Sequence, residues 1–362
     1  MKKHSLLNLM HISSIFIFSA VYSAANVEII RTDIPPYIDG LLNDACWTKA
    51  KPVTDFFYKD SGVVKPSKFP TRAQFLYDET GIFVAIECGE EQMNSIVAQT
   101  REKDGRVWED DCVEVFLHPP IDLLRYYHFI VNPAGSTYDA LCLFEVTLER
   151  RPKWEGNFES AVSRTANSWT VEMYIPFASL SLEPKGYKNW KINIGREHKA
   201  GGLHENSSLA NGVFHDQKQF LTLKGIEQDF SPFYITLKKF SIGTVLAGSG
   251  QMSAMLNIDL SERADIERNL RIMLDIIPAQ GTPASKTMDM VLKPKEEKSV
   301  RFKGEISKGG QYDFNLFITD KNTRRQYLSY SHKEEIKAFT PMEIIIKKQH
   351  CVMERKFPCY YQ

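Results

Sequence analysis

Apolar and polar residues alternate along most of the chain in short runs, among them "RAQFLYD", "IFVAIEC", "CVEVFLH", "YHFIVN", "SWTVEMYIP" and "WKINIGRE". Runs of five to eight residues rich in Val, Ile, Phe and Tyr, with period two and Gly, Asn, Asp or Pro between them, predict antiparallel strands. No segment carries a sustained helical period. "DETG" at 78–81 reads as a hairpin turn with Gly81 placed for positive φ, and "PFASL" at 176–180 as a short helical turn behind a proline. So many short strands predict an all-β protein, an antiparallel β-sandwich over residues 26–240. From about residue 225 the character shifts to runs such as "NLRIMLDII", "SVRFKGEI" and "QYDFNLFITD", without tryptophan and with more charge. Residues 241–340 are expected to form a smaller immunoglobulin-like β-sandwich. Residues 341–362 hold a strand, "MEIIIKK", and a tail that can be read as the start of a truncated domain.

Composition narrows the partners. The 362 residues carry 45 basic and 45 acidic side chains, so no net field favours nucleic acid. Lys2 and Lys3, the apolar run from Leu6 to Ala20 and the small residues of "YSAAN" describe a signal peptide over 1–25, cleaved after Ala25. The mature chain is then expected to be secreted, periplasmic or at the cell surface, with no membrane span. Export permits disulfides, but none of the six cysteines makes a C-x-x-C pair. A Cys88–Cys112 bridge is open, and buried thiols are the simpler reading.

The densest chemistry lies in "RVWEDDCVEVFLHP", residues 106–119. By strand parity Val113, Val115 and Leu117 face the core, while Asp110, Cys112, Glu114 and Phe116 face the other way. A mid-strand carboxylate such as Glu114 needs a partner, and Arg72 or Arg196 from an adjacent strand is the plain choice. A glycosidase would need two carboxyls roughly 5–9.5 Å apart. Asp110 and Glu114 are about 13 Å apart along one strand, so a second acid such as Glu172 or Glu197 would be required. Acids in "YDET", "EKDGR" and "WEDD" suit a structural calcium, though solvated loop charge explains them as well. No G-x-S-x-G elbow or H-E-x-x-H spacing is present. Haem held by His128 and Met93 is a remote alternative. An indole offers a flat apolar face to a sugar ring while Glu, Asn or Arg bonds its hydroxyls, and Trp108 beside Glu114, with "HENSS" approaching, makes such a set.

"IDGLLNDACWTKAKPVTDF", "TRAQFLYDETGIFVAIEC", "WEDDCVEVFLHP", "YYHFIVNPAGSTYDA", "WTVEMYIPFASL" and "WKINIGRE…ENSSLANGVFHDQKQFLTL" together resemble the family-nine carbohydrate-binding modules over about residues 27–225. The resemblance implies a non-catalytic β-sandwich that clamps a sugar between two tryptophans, with calcium as a structural ion, often appended to xylanases and other polysaccharide-degrading enzymes. It places Trp108 as one clamp wall, Glu114 and Asn206 as hydroxyl-binding groups and His128 on the strand of a further polar ligand. Xylan, cellulose or a related glycan is the expected partner. Where the second clamp tryptophan is expected, this sequence has Leu209, with Trp154 as a candidate replacement wall. A structural or adhesion sandwich with a degraded pocket is the rival expectation, and a glycoside hydrolase component is another. In "IDGLLNDACW", Asp39 and Gly40 are read as a turn and Trp47 as a plug at the sandwich base. Trp169 and Trp190 are read as core.

Overall fold

Alternation becomes geometry because one face of every strand must leave water. In the computed structural model, which describes residues 26–119, 125–144, 148–151, 154–180, 182, 189–246, 252–306 and 308–337, the chain is all-β with short 3-10 turns. The segments expected as a signal peptide and as a C-terminal strand lie outside these residues.

One large sheet runs in the order Leu148–Arg151, Thr137–Phe144, Arg125–Val131, Cys112–His118, Trp190–His198, Glu205–Ser208, Phe57–Asp60 and Val63–Pro66. A second contains Glu159–Arg164, Ser168–Pro176, Gly81–Gly89, Thr71–Tyr77 and Ile30–Arg31. Pairing is antiparallel except where Asn26–Glu28 meets Leu221–Lys224 and where Ile30–Arg31 meets Thr71–Tyr77. Between the sheets lies the main core. Val113, Val115 and Leu117 enter it from the first sheet and Val84, Ile86, Val171 and Met173 from the second, with Trp169 and Trp190 buried among them.

A separate apolar core begins at Ile235. Around it one sheet joins Ile235–Leu246, Met252–Glu262 and Glu297–Ile306, and another joins Ala284–Leu292, Arg268–Pro278, Gly310–Asp320 and Gln326–Ile336. The joint to the first unit is polar. Asn157 bonds Ser329 and Ser331, Arg325 donates to the Glu79 carbonyl at 2.8 Å, and Lys333 pairs with Glu155 at 3.5 Å.

Three local expectations resolve in physical terms. The 78–81 turn forms, with Asp78 Oδ1 accepting from the Thr80 and Gly81 amides. Gly81, however, does not adopt positive φ. It is needed for space, because a Cβ there would lie 2.5 Å from the Ile175 carbonyl oxygen. The helical turn expected at 176–180 is a 3-10 turn over Phe177–Ser179. Cys88 and Cys112 are buried free thiols, so no Cys88–Cys112 bridge exists. Parity is the reason: Cys88 faces the inter-sheet core, whereas Cys112 belongs to a cluster on the outer face of the large sheet. Burial pushes the Cys88 thiol up to about 11, which makes it a poor nucleophile.

The "DG…W" opening is held by one carboxylate from the second sheet. Glu172 accepts from the Trp47 indole at 2.7 Å and from the Asp39 and Gly40 amides at 3.1 and 2.9 Å. Gly40 has φ +84°, and a Cβ on it would sit 2.6 Å from the Val162 backbone. Replacing Glu172 by Ala strands three donors beside the core and should cost roughly 2–4 kcal/mol of unfolding free energy, read by denaturant titration. A loss under about 0.5 kcal/mol would show that the clamp does not hold the opening segment.

Candidate functional site

Every residue of the strand Cys112–His118 is buried. Its outer face therefore does not meet solvent. Cys112 and Phe116 there pack with Val107, Tyr126, Ile130, Tyr138 and Phe220 into a second, smaller apolar cluster, on which Trp108 and Phe214 close from the edge.

The acids around Trp108 fix the loop that carries it. Asp110 accepts from the Gln99 and Thr100 amides at 3.0 and 2.8 Å and from the Asn132 carboxamide at 2.8 Å. Asp111 accepts from the amides of Val97, Lys199 and Ala200. Lys199 also donates to the Trp108 carbonyl. Trp108 itself is half-buried, edge-on to Tyr138 with ring centroids 5.2 Å apart.

Within the cluster stands Glu114, 2% exposed. Its Oε2 lies 2.6 Å from His128 Nε2, and the His128 ring stacks on Phe116 with centroids 4.4 Å apart. Across the neighbouring strand Gly195 opposes Glu114, and Glu197 opposes Cys112 one step along. Gly195 leaves room for an aromatic ring, since a Cβ would lie 2.8 Å from Phe214. Glu197 hydrogen-bonds Glu114; burial first, then the Glu114 charge, push its carboxyl up to about 7 against the pull of Lys199. Its Lys199 ion pair is 2.6 Å long. Near neutral pH the Glu197 carboxyl can therefore both donate and accept hydrogen bonds.

The four residues singled out from sequence, Trp108, Glu114, His128 and Asn206, all line one cavity of about 240 Å³. Ile130, Glu197, Phe214 and His215 complete it. Asn206 reaches it because Glu205–Ser208 pairs with the strand of Glu197, in register Glu197–Asn206. Phe214 and His215 were not legible from sequence, since "NGVFHDQ" has no strand alternation. The available signal was "NG": Asn211 and Gly212 both take positive φ and turn the loop back over the sheet.

Other expectations are corrected. Leu209 does not stand at a wall of this cavity; it is 5% exposed in the main core, its amide bonded to the Ile194 carbonyl. Phe214 and His215 line it instead. Trp154 packs against Tyr127 and Phe129, two main-core residues, and is no replacement wall. Neither arginine serves Glu114. Arg72 pairs at the surface with Glu87, while Arg196, of the opposite parity, donates to the Pro70 and Gly89 carbonyls and approaches Glu90. As a second catalytic acid, Glu172 is excluded by its clamp on Trp47, and Glu197 bonds Glu114 directly rather than facing it across a cleft. Met93 packs on the main core away from His128, which leaves no His–Met axial pair for haem. Of the acids considered for calcium, Asp78, Asp110 and Asp111 accept from N–H donors and Glu109 pairs with Arg106.

A larger cleft of about 770 Å³ lies between the two units. Its Arg325 is spent on the Glu79 carbonyl and the Phe233 ring, and it gathers none of the candidate residues. The smaller cavity carries the denser chemistry.

Comparison with known proteins agrees with the motif resemblance. Residues 38–197 match the family model described as carbohydrate family 9 binding domain-like. No curated protein matches the chain. Among solved structures it is similar to a Bacteroides uniformis protein proposed to bind carbohydrate, at 22% identity and TM-score 0.43, covering 55% of this chain and 97% of that one. It is also similar to a family 9 carbohydrate-binding module from Caldicellulosiruptor kristjanssonii in complex with glucose, at 15% identity and TM-score 0.40, covering 56% and 98%. The same module in complex with cellotriose gives 14% identity and TM-score 0.39, covering 56% and 95%.

Because Leu209 is a core residue, Leu209→Trp should not rebuild a sugar clamp. Overpacking is expected to cost about 1–3 kcal/mol in denaturant unfolding. Undiminished stability together with tighter glycan binding would restore Leu209 to the pocket wall.

Proposed function

We propose that the cavity beside Trp108 binds a sugar ring of a poly- or oligosaccharide, and that the protein recognises glycans without cleaving them. One observation carries the reading: Trp108 and Phe214 face a space lined by two carboxyls, two imidazoles and a carboxamide. The aromatic faces suit the C–H side of a pyranose, and Glu114, Glu197, Asn206 and the histidines suit its hydroxyls. A cavity of about 240 Å³ is of a size for one or two rings rather than a long chain segment. The family match over 38–197 supports the same reading.

On this reading xylan, cellulose or a related β-glycan is the first partner to try. The chain works outside the cytoplasm, alongside polysaccharide-degrading enzymes, after removal of residues 1–25. Residues 241–340 form the immunoglobulin-like spacer. A purely structural role is the competing reading, and the same experiment decides between them.

Calorimetry and affinity electrophoresis with xylan, cellulose and short oligosaccharides should detect binding by the intact chain. Trp108→Ala should weaken it tenfold to a hundredfold, the loss of about 1–3 kcal/mol of aromatic contact, with the melting curve preserved. Absence of binding to every glycan would overturn the proposal. Binding indifferent to Trp108→Ala would move it to another surface.

A further inference from the structure

Two groups of metal-ligating side chains bring one donor atom each within 4.8 Å of the others. They differ in what already surrounds them. Glu90, Asp111 and His198 are all buried. Arg196 lies 3.5 Å from Glu90, the Asp111 oxygens take three backbone amides, and His198 stacks on Phe69. With His198 Nε2 also 2.7 Å from Glu90 Oε2, that group is a neutralised structural knot.

The other group is Glu114, His128 and His215, at the wall of the cavity. Here the charge balance is reversed. Two imidazoles and the Glu114 carboxyl stand together with Glu197 on the same wall, and Lys199 is paired to Glu197. The rings are held for the task. His128 lies against Phe116, His215 stands perpendicular to it with centroids 5.3 Å apart, and the Tyr126 hydroxyl fixes His215 through Nδ1 at 2.7 Å. A hydrogen-bonded partner on the second ring nitrogen is the usual outer support of a ligating histidine.

We infer that Glu114, His128 and His215 form a binding site for one divalent transition-metal ion, zinc being the fitting probe. Two nitrogens and one carboxylate oxygen suit zinc, nickel or copper and are too few and too soft for calcium. The coordination is open: three protein ligands on one side and the cavity on the other, where water or a ligand hydroxyl completes the set. Small ring rotations bring the donors to bonding distance, and the hydrogen between His128 and Glu114 leaves to solvent as the ion enters. The inference does not depend on sugar binding, because the three ligands come from the two strands and the loop that build the wall.

The test uses untagged full-length protein, stripped with chelator and dialysed, then titrated with zinc chloride alone. One ion per chain, a dissociation constant in the micromolar range or below and a raised melting temperature are expected. His215→Ala removes a half-buried loop ring and should fold; it should weaken zinc at least tenfold, as should His128→Gln. Trp108→Ala should leave zinc affinity within about twofold while weakening glycan binding tenfold to a hundredfold, so failure of one proposal is distinguishable from failure of the other. Cobalt(II) in place of zinc should give visible absorption lost in His215→Ala. No stoichiometric zinc binding, or binding unchanged in both histidine variants, would overturn the site.

Discussion

A carboxylate in the middle of a fully buried strand has to be answered, and the answer organises this molecule's outer face. Glu114 sits in a strand whose neighbours on both sides are apolar. Leaving it uncompensated would cost several kcal/mol. The fold meets it with His128 from one adjacent strand and Glu197 from the other, held in turn by Lys199. Glu114, His128 and Glu197 line the cavity at whose edge Trp108 and Phe214 stand.

The two faces of the large sheet thus divide the work. Its inner face, with Val113, Val115, Leu117 and Ile192, gives the stability of a sandwich core. Its outer face carries polar groups fixed by their neighbours. Loops around it are not loose attachments: Asp110 and Asp111 gather six N–H donors from three chain segments and so place Trp108. Such rigid support is what a recognition site needs, since side chains already ordered lose little freedom when a ligand arrives.

Strand alternation made the all-β fold and the core parity legible, because period two is a local property. It placed Val113, Val115 and Leu117 inward and Glu114 outward correctly. The motif resemblance picked out Trp108, Glu114, His128 and Asn206, four positions from four segments that the sheet brings to one cavity. What failed was whatever depends on loop path or on pairing between distant strands. Leu209 follows the strand Glu205–Ser208 and turns into the core, so counting residues from Asn206 gave the wrong wall. Arg196 has the right strand and the wrong parity to meet Glu114. Phe214 depends on Gly195 for its seat, a contact between residues nineteen apart that no local pattern encodes.

The central claim is that the Trp108 wall is where a glycan lands. Five tryptophans give five indole N–H resonances, and four of the rings are in or against the cores: Trp47, Trp154, Trp169 and Trp190. Titrating labelled protein with cello- or xylo-oligosaccharides should shift the Trp108 indole resonance in a saturable way and leave the other four near their starting positions. A saturable glycan response at one of the other indoles, with Trp108 unmoved, would contradict the account.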